Sequence, residues 1–381
     1  MSSLDHILLF SYLFFLFFSI SHKKQTFITG HFWLWALLPI ISYSLIVGMR
    51  YGWGADYKWY KGRFENPNIY GNESPGFYFL NVIMNDCGFD YVMAYITYSI
   101  LLIVGACILI RDFDYNKYML TLFLPATLIF TTAIIRQGVA LSFTYVMLYA
   151  LQNKRWLCFL VMGCITYSIH PGALVYLIPT ILFFFLYKGH LLPLQITVPS
   201  YIICSLSSNL FKDFIANPLS NLISSLTFGN IAFMNEYAKR ADEWFGAEAI
   251  IQDWYQEPLT LMLSMIFELS IIIMGFIALK NKMDSKVAYL YNTVTAGYIL
   301  SRLFFPVELM HRFTDPMYML YFIPFGYAIY QYQYNKSSWT VKEQQTGRFL
   351  LISSIMLYLI PYFLRFIFLN PLSDFVWNHP T

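Results

Sequence analysis

The sequence predicts an all-α, polytopic integral membrane protein with about 12 transmembrane helices. Three observations predict it. Hydrophobic residues make up 58% of the 381 positions and charged residues 12%, with a mean hydropathy of +0.54; an ordinary soluble domain carries roughly 25% charge. The apolar residues lie in continuous runs close to the length that a hydrocarbon core of about 30 Å demands of a helix, about 17–25 residues. Those runs do not alternate, which excludes strands as the spanning element. The composition also excludes a cytosolic enzyme, a nucleic-acid-binding protein and a disordered scaffold, and a net charge of +3 is too small to hold a polyanion.

In chain order, the first run, 4–21, has no Lys or Arg before it and no small-residue cleavage site after it, so it reads as a span and not a removable leader. The second, 31–49, ends at Arg50 and opens an outer segment, 50–89, in which Phe77–Met84 reads as an interfacial helix. Four runs follow at 90–110, 118–135, 137–152 and 156–169, with Arg136 between the second and third of them. His170, followed by Pro171 and Gly172, closes the sixth span, because the residues before and at a proline leave the helical region. Spans at 172–187 and 191–208 lead to a second outer segment, 209–257, with an interfacial helix at 231–245. The last four runs are 258–279, 287–305, 314–331 and 349–368. No internal repeat interrupts this plan, which is that of a single membrane domain over 1–381. The five cysteines show no Cys-x-x-Cys and read as buried free thiols.

Lys and Arg in the connections set the orientation. One set of loops holds 13 of them, from Lys23 to Arg348, against four acids, and so faces the cytoplasm at +9. The opposite set carries −5, with Glu268 left inside a span. Cations on the outer side therefore need a reason. Arg50, Arg136, Arg302, His311 and Arg312 all map there, as does His170, and together they suit an anionic ligand whose head lies at the outer interface. Each has a plainer alternative: snorkelling to phospholipid for Arg136 and Arg302, a helix end for His170, an aromatic belt for Arg50. Gly52 and Gly54 permit tight turns before Asp56, a carboxylate placed to take a proton from a sugar hydroxyl, and Tyr57 and Tyr60 read as rings that stack on sugars. Glu73 reads as a second base, a base orienter or a helix N-terminal acid. No phosphate-binding glycine loop, His-Glu-x-x-His, Gly-x-Ser-x-Gly or Cys/His ligand spacing is present, so no cofactor is expected and a metal-dependent outer site is not supported, although Asp56 with Glu73 could hold one ion.

Several of these residues sit in motifs. Gly48-Met-Arg-Tyr-Gly-Trp-Gly-Ala-Asp-Tyr-Lys-Trp-Tyr60 resembles the Arg…Gly-x-Asp-Tyr…Tyr signature of the EpsG family, polysaccharide repeat-unit polymerases of the Wzy type. Glu73-Ser-Pro-Gly-Phe-Tyr is similar to that family's Glu-Pro-Gly-Tyr segment, with Ser74 as an insertion-like departure. Ile135-Arg-Gln-Gly-Val-Ala140 resembles its Arg-Gln-x-x-Ala segment. Tyr167-Ser-Ile-His-Pro-Gly172 resembles its His-x-Ser segment, with Gly172 in place of the small hydroxyl. His311-Arg-Phe…Tyr321-Phe resembles its Arg…Tyr-Phe stretch more loosely. The resemblance implies a GT-C-like glycosyltransferase architecture and an inverting transfer of glycan from an undecaprenyl-diphosphate donor to a lipid-linked repeat unit, for O-antigen, capsule or exopolysaccharide synthesis. It implies a site on the outer face of a bacterial cytoplasmic (inner) membrane, with Asp56 as general base, Arg136 and Arg312 as diphosphate anchors and His170 as an additional anchor or acid. The residues themselves add Glu73 to the catalytic candidates beside Asp56 and His170, Arg50 and His311 to those for the lipid diphosphate, and Tyr57 and Tyr60 for the sugars. The implied partners are undecaprenyl-diphosphate-linked oligosaccharides and the lipid bilayer, with a chain-length regulator as a further candidate and no nucleic acid. The competing readings are another polyprenyl-linked glycosyltransferase, an O-antigen ligase, and a multi-span transporter or flippase, which would call for inverted repeats and little outer mass.

Overall fold

Away from water, backbone N–H and C=O groups must pair within their own segment, so the apolar runs become helices. The structure, a computed structural model, describes residues 2–22, 32–52, 56–67, 74–132, 135–187, 189–211, 218, 258–305, 308–361, 364 and 374–378. Within them the chain is helical except for one two-stranded antiparallel pairing. The expected interfacial helix at 231–245 lies outside the described residues. The contacts form two compact units, Met1–Leu174 with Leu359–Thr381, and Val175–Tyr358.

The first unit contains α1 (Ser2–His22), α2 (Phe32–Gly48), β1 (Arg50–Tyr51), α3 (Tyr57–Glu65), α4 (Pro75–Asp86), α5 (Tyr91–Ile110), α6 (Asn116–Thr132), α7 (Ile135–Gln152), α8 (Trp156–Ile169) and β2 (Asp374–Phe375). Helix α5 is central, packed between α2 and α7; α8 covers α7, α4 lies on α8, and α3 rests on α4 and α5. Small residues set the spacing. A Cβ on Gly48 would stand 2.5 Å from the Ile96 Cα, and one on Gly105 would stand 2.5 Å from the Ser142 carbonyl oxygen. Both are closer than carbon atoms tolerate, so these glycines let α2 and α7 approach α5.

The second unit takes up α9 (Ala173–Leu186) after its first residues, then α10 (Leu194–Phe211), α11 (Pro258–Asn281), α12 (Ser285–Phe304), α13 (Glu308–Met319), α14 (Phe322–Tyr334) and α15 (Val341–Ser353), which continues as a π-helical stretch Ser354–Leu359. Helix α12 lies against α10 and α13, and α11 lies against α14 and α15. Arg302 is buried here and does not reach lipid headgroups. Its Nε donates to Glu268 Oε2 and to the Tyr201 hydroxyl at 2.9 Å each, and its Nη2 donates to Glu268 Oε1 at 2.5 Å and to Ser264 Oγ at 2.7 Å. The intramembrane acid and the misplaced cation of the sequence are thus one ion pair.

The outer faces are apolar. Leu34, Leu37, Leu38, Ile41 and Leu45 form an exposed stripe along α2, and Ile203, Leu206 and Leu210 one along α10. Such stripes are unfavourable against water and suit lipid. Two helices, Tyr91–Ile110 and Pro258–Asn281, are long and apolar enough to cross a membrane, and Ile7–Ser19, Phe32–Gly48, Trp156–Ile169 and Val175–Leu186 are shorter apolar helices. The all-helical class holds, with the character of a helical membrane protein.

The boundaries differ from the sequence expectation at three places. The run 314–331 divides into α13 and α14 at Leu320 and Tyr321; Pro324 falls in the first turn of α14, where its missing N–H costs nothing. The expected span 349–368 begins earlier, at Val341, because Thr340 and Glu343 form a capping box, Thr340 N to Glu343 Oε2 2.9 Å and Glu343 N to Thr340 Oγ1 3.2 Å. Residues 57–65, read as part of a loop, form α3.

Candidate functional site

The site is built at one end of the first unit. Helix α2 stops at Gly48, the chain extends through Arg50, and Gly52 takes φ +70°, a turn that a side chain would strain. Asp56 stands at the N-cap of α3, where its carbonyl accepts from the Tyr60 N–H at 3.0 Å and its carboxylate caps no helix N–H. Tyr57, Tyr60 and Phe64 occupy one face of α3 and enter an aromatic core with Phe77, Tyr95 and Tyr98. The Tyr95 hydroxyl donates to the Tyr57 carbonyl at 3.2 Å, Asn85 Nδ2 donates to the Phe64 carbonyl at 3.1 Å, and the Tyr98 hydroxyl donates to Asn81 Oδ1. These bonds lock α3 onto α4 and α5.

That packing corrects one expectation. Tyr57 and Tyr60 are 3% and 6% exposed, so neither ring has a face for a sugar. They lie three residues apart and point inward together, while Lys58 and Trp59 point out. Their work is to surround Arg50.

Arg50 is 3% exposed, with its guanidinium carbon 4.8 Å from the centre of the Tyr95 ring. Its Nε and Nη1 have no hydrogen-bond partner among the described residues. Burial pushes its pKa down, and the oxygens of Tyr95, Tyr57, Tyr43 and Tyr60 oppose that shift. An arginine nevertheless keeps its proton. Arg136 falls in the first turn of α7, not between two spans. Its Nη1 donates to Ser74 Oγ at 3.0 Å. Ser74 is the buried N-cap of α4, and its hydroxyl caps no helix N–H. Gly76 lets this corner close: a Cβ there would meet the Ser168 carbonyl carbon at 2.9 Å and the Ile169 nitrogen at 3.0 Å, at the end of α8. His170 is the residue that caps that end.

Electrostatics joins these residues. The Tyr60 hydroxyl is held above its usual range, first by burial; Arg136 pulls it down through its charge and a backbone hydrogen bond, and Asp56 pushes it up. Burial and then Arg136 push His170 down to about 3, so its imidazole is neutral at neutral pH. Its Nδ1 is buried without a partner among the described residues. Arg50, Asp56, Arg136 and His170 therefore converge about one aromatic floor. The cations expected on the opposite side are elsewhere: Arg111 bonds the Tyr149 hydroxyl and Arg155 lies 5.8 Å over the same ring, near the other end of α7, about 20 Å along the helix from Arg136.

Three expected residues fall outside this description. Glu73 lies outside the described residues. His311 and Arg312 sit in α13, in the second unit, and their side chains are not among those described. Two members escaped the sequence reading. Ser74 was an irregularity in a motif, although Ser before Pro at a helix start is a cap signal. Tyr95 is one aromatic in an apolar run, with nothing to mark it.

The fold and site define a class: a helical protein with lipid-compatible faces that brings cations, a carboxylate and a neutral imidazole together at one end of a helix bundle. The chain belongs to the EpsG family, whose model matches residues 32–379, and so to a group of polysaccharide-related, glycosyltransferase-like polymerases. No curated protein and no solved structure matches it.

Proposed function

We propose that this protein is an inverting repeat-unit polymerase. It moves a glycan from an undecaprenyl-diphosphate donor to a hydroxyl of a lipid-linked oligosaccharide on the outer face of a bacterial cytoplasmic membrane. On this reading it spans the membrane about twelve times with a GT-C-like plan. One observation carries the reading: Arg50 is a buried guanidinium with two nitrogens unpaired among the described residues, over the same aromatic floor as Arg136, Asp56 and His170. A buried charge left unpaired costs several kcal/mol, and an anionic ligand offsets that cost.

The chemistry follows from the residue types. The bond between the anomeric carbon and the diphosphate oxygen breaks, and negative charge grows on the departing lipid diphosphate. Arg50 and Arg136 bind that charge more strongly as it develops, which lowers the barrier and not merely the Michaelis constant. Asp56, whose carboxylate is not spent on capping α3, accepts the proton of the attacking hydroxyl as the new glycosidic bond forms on the opposite face. A single base suffices for inversion. His170, being neutral, serves as a hydrogen-bond partner and not as a third cation. Ser74 holds Arg136 in place.

The test supplies purified protein with a lipid-linked repeat unit and resolves the products by size, with and without a chelator. Wild type is expected to give a ladder and Asp56→Asn none, with unchanged folding and insertion. Chain growth by Asp56→Asn would remove Asp56 as the base. One added unit in place of a ladder would make the protein a single-step transferase or ligase.

A further inference from the structure

The segment after residue 373 returns to the site. Strand β2 pairs with β1 in antiparallel register, Phe375 opposite Arg50 and Asp374 opposite Tyr51. The Val376 N–H donates to the Met49 carbonyl at 3.0 Å, which extends the pairing to the residue before Arg50. Phe375 is fully buried and stacks on Trp377, ring centres 4.4 Å apart and planes 2° apart. Trp377 Nε1 donates to Asp5 Oδ2 at 3.3 Å, so the strap is also fastened to α1.

Among the described residues Arg50 has no hydrogen-bond partner at Nε or Nη1 to fix its direction. Besides the Tyr95 ring beneath the guanidinium, what fixes it is the backbone: Gly48 wedged on α5, the turn at Gly52, and the pairing with β2. Only the last comes from a distant part of the sequence. We propose that Asp374–Asn378 is a positioning strap for Arg50, which holds the guanidinium in the place where a lipid diphosphate binds. Phe375 is its key residue, since its buried ring seats the strand opposite Arg50. The inference rests on the reading of Arg50 as a diphosphate anchor.

The experiment measures binding of farnesyl diphosphate, and of farnesol as a control, to the purified full chain in nanodiscs. Phe375→Ala and a chain ending at residue 370 are expected to weaken farnesyl diphosphate binding tenfold or more and to leave farnesol binding unchanged. Phe375→Leu is expected to restore it, and Phe375→Ala combined with Arg50→Met to lose no more than Arg50→Met alone. If the shortened chain fails to fold, Phe375→Ala decides the question. Wild-type diphosphate binding by Phe375→Ala, alongside a loss in Arg50→Met, would overturn the strap and leave the anchor standing. Equal weakening of both probes would make the strap a general structural element and also overturn the proposal. Wild-type binding by Arg50→Met would overturn the anchor itself.

Discussion

Arg50→Met should make the protein more stable and less able to bind. Methionine matches the length of the arginine stem and brings no charge into the buried site. In the ligand-free protein the two nitrogens without a partner among the described residues each cost about 1–3 kcal/mol. Against that, the substitution loses the contact with the Tyr95 ring, about 0.5–2 kcal/mol. The balance is a stabilisation of up to about 5 kcal/mol, centred near 3. With a diphosphate bound, the same two nitrogens make charge-assisted hydrogen bonds of about 1.5–3 kcal/mol each. Their loss corresponds to a binding defect of roughly 10²–10⁴-fold. Thermal unfolding of wild type and variant in the same detergent, with and without farnesyl diphosphate, reads both effects. The variant should melt higher without ligand and gain little when it is added. A variant that melts lower, and is stabilised by ligand as much as wild type, would show that Arg50 is structural and refute the reasoning.

Three other outcomes follow from the geometry. Arg136→Lys should lower the rate of chain growth by on the order of tenfold in the ladder assay, because an ammonium cannot hold Ser74 and a phosphate oxygen with one planar fork. His170, depressed to about 3 in the fold against about 6.5 unfolded, binds fewer protons when folded, so its contribution to stability is present above pH 6.5 and is lost as pH falls toward 3. His170→Gln should flatten that part of the unfolding profile between pH 4 and 7, and an unchanged profile would argue against a buried neutral imidazole. Glu268→Leu should destabilise by about 3–5 kcal/mol by stranding Arg302, and adding Arg302→Met should recover most of the loss in the same melting experiment.

Much of this architecture is legible in the sequence, for physical reasons that differ by element. Continuous apolar runs specify helices because lipid leaves no alternative, and α5 and α11 stand where the runs predict. Arg50, Asp56, Arg136 and His170 are conspicuous because polar groups beside apolar runs are costly, and the fold does bring them to one aromatic floor. The direction of a side chain is a different matter. Tyr57 and Tyr60 look like surface aromatics in a loop of mixed polarity, and only the helical period of α3 turns both inward. The break between α13 and α14 falls inside a single apolar run, so no run length records it. Arg302 and Glu268 are far apart in sequence, and a list of outer cations has no means to cancel one against an acid from another helix. The pairing of β2 with β1 is two residues long, below any periodicity signal.

The tyrosine bed beneath Arg50 has one more implication. Had a carboxylate propped up that guanidinium, an arriving pyrophosphate would first have to evict it, and the eviction would recur in every cycle. Aromatic faces attract a cation without neutralising it, so its whole charge stays on offer and nothing needs displacing before the guest can settle or after it departs.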